Sequence, residues 1–293
     1  MVDVLGMRLL TLVFAAALPL AASADTVYRV SSFASERSPG EIVRVSPGPD
    51  LQMLHLPTAM RIGTFDATAQ RLFLLGDSYD PKLYLVDLHD QSMVATAVDT
   101  SALSSCCGWD AQTSGLFAIR GGNELVRVDA TTGAVTKVLT LPARFSMLSS
   151  DPARGRSFLL REDTPEVWLL DLATLTPSML RQTAVMSAFI DASTGTLYIS
   201  TPLEGESFLA SDLIAIDVDA GTARVVLHHP GGVPVAYDSV TKQVYVQKWN
   251  DFNLTEFWSV DLATGLASLP SMTGGDFNSY LTVAPPPRKR AVR

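Results

Sequence analysis

The sequence predicts an all-β protein, and within that class a six-bladed β-propeller whose first blade is closed by the C-terminal strand. A unit of four short strands recurs every 40 to 47 residues, which is the size of a propeller blade. Five whole copies of the unit follow one another, and the parts of a sixth lie at the two ends of the chain. Little of the chain after residue 24 has the apolar periodicity of a helix.

The first 24 of the 293 residues are typical of an export signal. Arg8 precedes an almost unbroken apolar run at residues 9–22, and Ala22-Ser23-Ala24 supplies the small residues of a cleavage site. About 14 apolar residues are too few to cross a bilayer comfortably, and no later run reaches membrane length. We therefore expect a periplasmic or extracellular protein with no transmembrane segment after signal removal; an uncleaved anchor is the alternative.

The remaining chain divides into one propeller domain at residues 25–284 and a basic, proline-rich tail at residues 285–293. Hydrophobic residues make up 47% of the chain and charged residues 18%, so a large core can be buried. The formal net charge of −8 argues against nucleic acid as a partner, because a phosphate-binding surface needs clustered Lys and Arg.

The first repeated landmark is an aspartate, a few turn residues and then an apolar pair with an aromatic, as in IDASTGTLYIS at residues 190–200. We interpret the residues before the aspartate as strand a and the aromatic-bearing run as strand b. The aspartate favours the intervening turn because its side chain can bond the backbone two residues on. The landmark aspartates are Asp66, Asp110, Asp151, Asp191 and Asp238.

The second landmark is an apolar residue and an aspartate followed by a turn such as Ala-Thr-Gly, and it keeps the same period. It ends strand c, and strand d follows the turn. Its aspartates are Asp87, Asp129, Asp171, Asp217 and Asp261. Because both aspartate series recur with the blades, we interpret them as turn residues and not as an acid–base or calcium cluster.

The sixth unit, which we number blade 1, is split between the termini. Residues 26–30 match strand b, and residues 41–48 match strand c with Ser46 in the aspartate position. Residues 279–285 match strand a with Ala284 in the aspartate position. The C-terminal strand is therefore predicted to pair with the N-terminal one, which removes the edges of an open sheet. An open or seven-bladed array is the alternative.

The two landmarks resemble the repeats of YVTN/quinoprotein-like and NHL-like β-propellers. DPARGRSFLL at residues 151–160 and VDATTGAV at residues 128–135 carry the likeness best. The resemblance covers nearly all of the chain after the signal and implies the fold. It implies no function, because such folds host enzymes, ligand binders and scaffolds, and the matching positions are turn and strand residues.

The segments between strands b and c are longest in blades 5, 6 and 1, which are neighbours in a closed ring. Loops on a rigid scaffold often carry function, although long loops can also be merely solvated. Their aromatic, carboxylate and amide side chains suit contact with a small molecule or a protein. We therefore expect a binding or scaffold module without a cofactor. The expected binding residues are Glu36, Arg37, Glu204, Glu206, Trp249, Asn250, Asp251 and Phe252.

Two further features keep enzymatic alternatives open. Cys106 and Cys107 are adjacent, just before strand a of blade 3, and are candidates for a vicinal disulfide. Some quinone-dependent propeller enzymes, which the chain resembles in this pair, carry such a bridge beside the cofactor, so a quinoprotein-like redox protein is one alternative. The chain also resembles six-bladed lactonases in its number of blades. That likeness implies a calcium-dependent hydrolase as the other alternative, with calcium near Glu204, Asn250 and Asp251.

The histidines do not predict a metal site. His228 and His229 are adjacent at the end of strand d in blade 5, and neighbouring side chains on a strand point to opposite faces. No cysteine or carboxylate lies beside them at metal-ligand spacing in the sequence, and structural sites need three or four ligands. We therefore interpret both as surface residues and expect no bound metal.

Overall fold

The computed structural model describes residues 26–31, 40–46, 51–58, 60–66, 69–76, 79–110, 115–203, 210–249, 255–268, 272–275 and 279–284. These residues form six antiparallel sheets of four strands each, as the sequence predicts. Their one helical segment is the single 3-10 turn Pro152–Arg154. Within the same ranges, no helix has the length and apolarity needed to span a bilayer.

In chain order the strands of blades 1 to 3 and the first of blade 4 are β1 (Thr26–Ser31), β2 (Gly40–Ser46), β3 (Leu51–Leu56), β4 (Met60–Asp66), β5 (Arg71–Gly76), β6 (Lys82–Asp87), β7 (Ser92–Asp99), β8 (Leu103–Asp110), β9 (Gly115–Arg120), β10 (Glu124–Val128), β11 (Val135–Thr140) and β12 (Phe145–Asp151). The others are β13 (Arg156–Arg161), β14 (Glu166–Asp171), β15 (Thr176–Gln182), β16 (Ser187–Asp191), β17 (Thr196–Pro202), β18 (Ser211–Asp217), β19 (Thr222–His228), β20 (Val233–Asp238), β21 (Gln243–Trp249), β22 (Thr255–Asp261), β23 (Met272–Gly275) and β24 (Ser279–Ala284).

The six sheets close into a ring around an axis. Blade 1 has the strand order β24-β1-β2-β3, and blades 2 to 6 each use four consecutive strands. The a strands β4, β8, β12, β16, β20 and β24 contact one another in that order, and β24 contacts β4, so they form the inner wall. Closure occurs in blade 1, where β24 pairs with β1 from Thr26↔Ala284 to Ser31↔Ser279. The predicted closure is confirmed.

The landmark aspartates occupy the turns on one face of the ring. Strands β4, β8, β12, β16 and β20 each end at an aspartate of the first series, and all five of these side chains are buried. In the second series, Asp171 Oδ1 accepts hydrogen bonds from the backbone N–H groups of Ala173 at 2.9 Å and Thr174 at 2.8 Å. The equivalent pairs of N–H groups bond Asp87, Asp129, Asp217 and Asp261. For the second series, the interpretation as turn residues is confirmed.

This turn chemistry predicts loss of stability in acid. The N–H of Thr174, followed by smaller contributions, holds the pKa of Asp171 below its ordinary value, and the same arrangement lowers the pKa of Asp87, Asp129 and Asp261. A carboxyl whose pKa is lower in the folded state stabilises the fold above its unfolded pKa, about 3.9. That contribution disappears as the pH falls through the folded value.

We therefore expect the free energy of unfolding, measured in urea between pH 7 and pH 2, to fall below about pH 4. A variant with Asp87→Asn, Asp129→Asn, Asp171→Asn and Asp261→Asn keeps the acceptor oxygens but cannot titrate at these positions. Its free energy of unfolding should depend less on pH across the acid range. Equal pH dependence in the two proteins would show that these turns do not contribute.

The aromatic of strand b packs between its own blade and the next one. Phe73 of blade 2 stacks on Trp109 of blade 3, with ring centroids 5.1 Å apart. Tyr198 of blade 5 packs on Tyr237 of blade 6 with the same separation. Burying such a ring contributes about 1.5–3 kcal/mol, so the recurring aromatic is explained by the interface between blades.

The a strands carry β-bulges that the sequence did not predict. Four of them shift register at the residue three places before the landmark aspartate, between Ile62 and Thr64, Cys106 and Gly108, Met147 and Ser149, and Pro234 and Ala236. A bulge bends its strand and increases the local twist. One prediction is corrected here: Cys106 and Cys107 lie within β8 and not before it, because the strand extends back to Leu103.

Candidate functional site

The hairpins between strands b and c are taller in blades 5 and 6 than in the other complete blades. In blade 4 the pairing of β13 with β14 runs from Arg156↔Asp171 to Leu160↔Val167, and blade 2 is alike. In blade 5 the pairing continues to Pro202↔Ser211, and in blade 6 to Trp249↔Thr255. Two more residue pairs correspond to about 7 Å of extra height. The taller hairpins stand on adjacent blades, since β16 contacts β20.

Of the predicted binding residues, Trp249 is the one that lies on a described strand. Trp249 is the last residue of β21 and lies opposite Thr255. Its side chain is not among those the structure describes. The segments that join b to c in blades 1, 5 and 6 leave from one face. Outside the described residues lie Glu36, Arg37, Glu204, Glu206, Asn250, Asp251 and Phe252, and for them binding stays a prediction.

A polar pair in the raised end of the blade 5 hairpin was not predicted from the sequence. Asp212 lies opposite His228 on the neighbouring strand, and its Oδ2 is 3.3 Å from His228 Nδ1. The other carboxylate oxygen, Oδ1, is buried and has no hydrogen-bond partner. His228 does end strand d as predicted, but it has a carboxylate beside it. The pairing of β18 with β19 explains this, because directly opposite residues on antiparallel strands share a face.

The described residues of the blade 6 hairpin combine a cation, an aromatic and a carboxylate. Lys248 Nζ lies 5.7 Å from the centroid of the Trp258 ring, and Trp258 Nε1–H donates to Glu256 Oε2 at 3.3 Å. A cation over an indole ring is a favourable contact. This hairpin therefore presents amphipathic side chains of the type enriched in protein interfaces.

The same face of blades 3 and 4 differs, because its charges are already paired. Glu124 lies 2.8 Å from Arg120 and 2.9 Å from Lys137. Hydrogen bonds from Lys137 and then Arg120 lower the pKa of Glu124. In blade 4, Arg161 pairs with Asp163 at 2.6 Å and with Glu166 at 3.2 Å. Covering paired charges costs desolvation without new partners, so these hairpins are less favourable docking sites.

The described residues do not test the enzymatic alternatives. Within those ranges, no group of three or more His, Cys, Asp or Glu side chains could hold a metal ion. The calcium ligands expected for a hydrolase, Glu204, Asn250 and Asp251, lie outside the ranges and stay a prediction. Cys106 is disulfide-bonded, and the sequence has two cysteines. The side chain of Cys107 is not described, so the vicinal bridge also stays a prediction.

Comparison with known proteins shows the fold and not a family. No family model and no curated protein matches the chain. A crystal structure of TolB from Acinetobacter baumannii is 13% identical, with a TM-score of 0.65 over 90% of this chain and 67% of that one. A chain of a nidogen/laminin complex is 16% identical, with a TM-score of 0.63 over 88% of this chain and 98% of that one. A putative TolB from Agrobacterium tumefaciens is 12% identical, with a TM-score of 0.58 over 89% of this chain and 98% of that one.

Proposed function

We propose that this protein is an exported, non-enzymatic propeller that docks a protein partner on the raised hairpins of blades 5 and 6, together with the neighbouring b–c segment of blade 1. The observation that carries the proposal is the extra height of two adjacent hairpins on an otherwise regular ring. Raised loops on a rigid scaffold concentrate contact area in one sector without changing the core.

The chemistry of this sector supports a protein as the occupant. The hairpins mix aromatic, acidic and amide residues, whereas blades 3 and 4 present charges that neutralise one another. Aromatic side chains enclosed by polar ones are typical of the centre and rim of protein interfaces. One of the similar structures is a propeller determined in a complex of two proteins, nidogen and laminin. Together with the signal at residues 1–24, this favours a partner outside the cytoplasm.

The double variant Trp249→Ala/Phe252→Ala tests the proposal. A photo-crosslinking residue placed at Asn250 should capture a partner in the exported fraction of the producing cell. The partner is then purified for affinity measurement. We expect the double variant to bind it at least tenfold more weakly, because two interface aromatics are worth about 1.4 kcal/mol or more. Its melting temperature should not change, because Trp249 is the last residue of β21, beyond the five residue pairs that the shorter hairpins also have.

The matched control places the crosslinker at Asn123, in the short b–c turn of blade 3. It should capture nothing from the same fraction. Equal capture from both positions, or full affinity in the double variant, would contradict the proposal. Stoichiometric calcium in the purified protein would favour the hydrolase instead.

A further inference from the structure

Two arginines hold equivalent positions as the first residue of strand b. At the interface of blades 4 and 5, Arg156 Nη1 donates to Asp219 Oδ1 of blade 5 at 2.6 Å. Its Nη2 donates to Asp151 Oδ2 at 3.1 Å, and the side chain is only 9% exposed. Asp219 stands two residues after the landmark Asp217 in the c–d turn. A carboxylate from the next blade therefore pairs with the guanidinium at this interface.

The equivalent carboxylate is absent at the interface of blades 2 and 3. The position of Asp219 is taken there by Thr131, two residues after the landmark Asp129. Arg71, the counterpart of Arg156, pairs within its own blade, its Nε lying 3.6 Å from Asp87 Oδ2, and its side chain is 46% exposed. Among the described residues, no acidic side chain of blade 3 pairs with Arg71. Its guanidinium therefore lies beside an open space.

That space is a cleft of about 630 Å³ on the turn face, opposite the raised hairpins. Its apolar wall includes Phe73 and Trp109, which stack on each other, together with Val128. Arg71 and Thr131 lie at its polar side. Clefts of several hundred Å³ with apolar walls and a few polar groups are typical of small-molecule sites.

The indole N–H of Trp109 differs in its hydrogen bonding from the equivalent residue of blade 6. Its Nε1–H is buried and has no hydrogen-bond partner. In the equivalent position of blade 6, Tyr237 forms a side-chain hydrogen bond with Tyr198 of blade 5. A buried donor without a partner is unfavourable. Because this nitrogen is not accessible to solvent, the N–H reports on the wall of the cleft and is not itself a ligand contact.

We propose that this cleft binds a small organic monocarboxylate with an apolar body. The ligand carboxylate takes the place at Arg71 that Asp219 takes at Arg156, and the body lies against Trp109 and Phe73. Guanidinium and carboxylate match as bidentate partners. Two arginines and two aspartates, Arg71, Arg127, Asp66 and Asp129, line the cleft, so its formal charge is balanced. This balance favours a monoanion over a phosphate or a polyanion.

The probes are benzoate and hexanoate, with benzamide and hexanamide as neutral counterparts of the same shape. The readout is the indole N–H resonance of Trp109 in the 15N-labelled protein, assigned with a Trp109→Phe variant. We expect the carboxylates to shift this resonance in a saturable way. The amides should bind at least about tenfold more weakly than the acids, because an amide cannot form the charge-assisted bond to Arg71.

Three variants separate this site from general effects. Arg71→Ala should weaken carboxylate binding by about tenfold or more. Thr131→Asp should recreate the interblade ion pair, abolish carboxylate binding and leave the protein at least as stable to heat, which excludes misfolding as the cause. Arg181→Ala, an exposed arginine on β15, is the control and should bind as the parent does.

The proposal is overturned if neither carboxylate moves the Trp109 resonance, if the amides bind as well as the acids, or if Arg71→Ala retains full affinity. Because the cleft and the raised hairpins lie on opposite faces, none of these outcomes bears on the docking of a protein partner.

Discussion

Replacing Asp151 by alanine is expected to lower the free energy of unfolding by about 3–5 kcal/mol. Asp151 is 0% exposed and accepts hydrogen bonds from Arg154 Nη1 at 3.2 Å and Arg156 Nη2 at 3.1 Å. Its removal leaves the buried guanidinium of Arg156 with one carboxylate, Asp219, on the solvent side. Breaking a buried pair from one side costs more than the pair itself is worth, because an uncompensated charge remains.

Urea unfolding of the purified variants measures this effect. Asp163→Ala is the matched control, since Asp163 also pairs with an arginine, at 2.6 Å, but is 60% exposed. Exposed pairs are worth about 0.2–1 kcal/mol, so the control should stay within about 1 kcal/mol of the parent. Similar losses in the two variants would show that the burial of Asp151 is not the source of its contribution.

Truncation after Asn278, which removes β24, is expected to abolish the cooperative unfolding transition. The deletion removes all six residue pairs between β24 and β1 and uncovers Tyr28 and Val30, which are buried. Two uncovered apolar side chains and the lost backbone bonds together amount to about 5 kcal/mol or more, which is comparable with the whole stability of many domains. The edge of β1 then becomes available for pairing with other chains.

Circular dichroism during heating and light scattering check this expectation. Truncation after Ala284 is the control, because it retains every pair of β24 and removes only residues 285–293. The control should melt within about 2 °C of the full chain, since ΔΔG below about 0.5 kcal/mol shifts a large domain by no more than that. A monomeric, cooperatively melting product from the shorter truncation would contradict the closed-ring account.

The architecture was predictable because its signals are local. Each aspartate of the second series accepts hydrogen bonds from backbone N–H groups two and three residues away, so Asp171 and its counterparts reveal the turns without any knowledge of the fold. The strand-b aromatic is equally local in the sequence, although the space that it fills lies between blades. Once two landmarks of the same period are found, the place of β24 follows from the missing strand a of blade 1.

The cleft and the ion pairs between blades were not predictable in this way. Arg71 and Arg156 look alike in the sequence, and their different environments depend on Thr131 and Asp219 in the following blades. Aligning the residue two places after each second landmark would have distinguished them. The bulges of the a strands, and the pair formed by Asp212 and His228, depend on register, which the landmarks do not specify.

The pairing of β1 with β24 also bears on how the molecule is made. A ribosome delivers β1 early and β24 roughly 250 residues later, a wait of about 12 to 50 seconds at ordinary rates of synthesis. Throughout that interval one side of the N-terminal strand has no neighbour. Blade-by-blade folding during synthesis therefore cannot complete the ring, because the last strand pair forms only once β24 has been made. A chain that ends before residue 279 is therefore expected to associate with other chains and not to form a smaller stable protein.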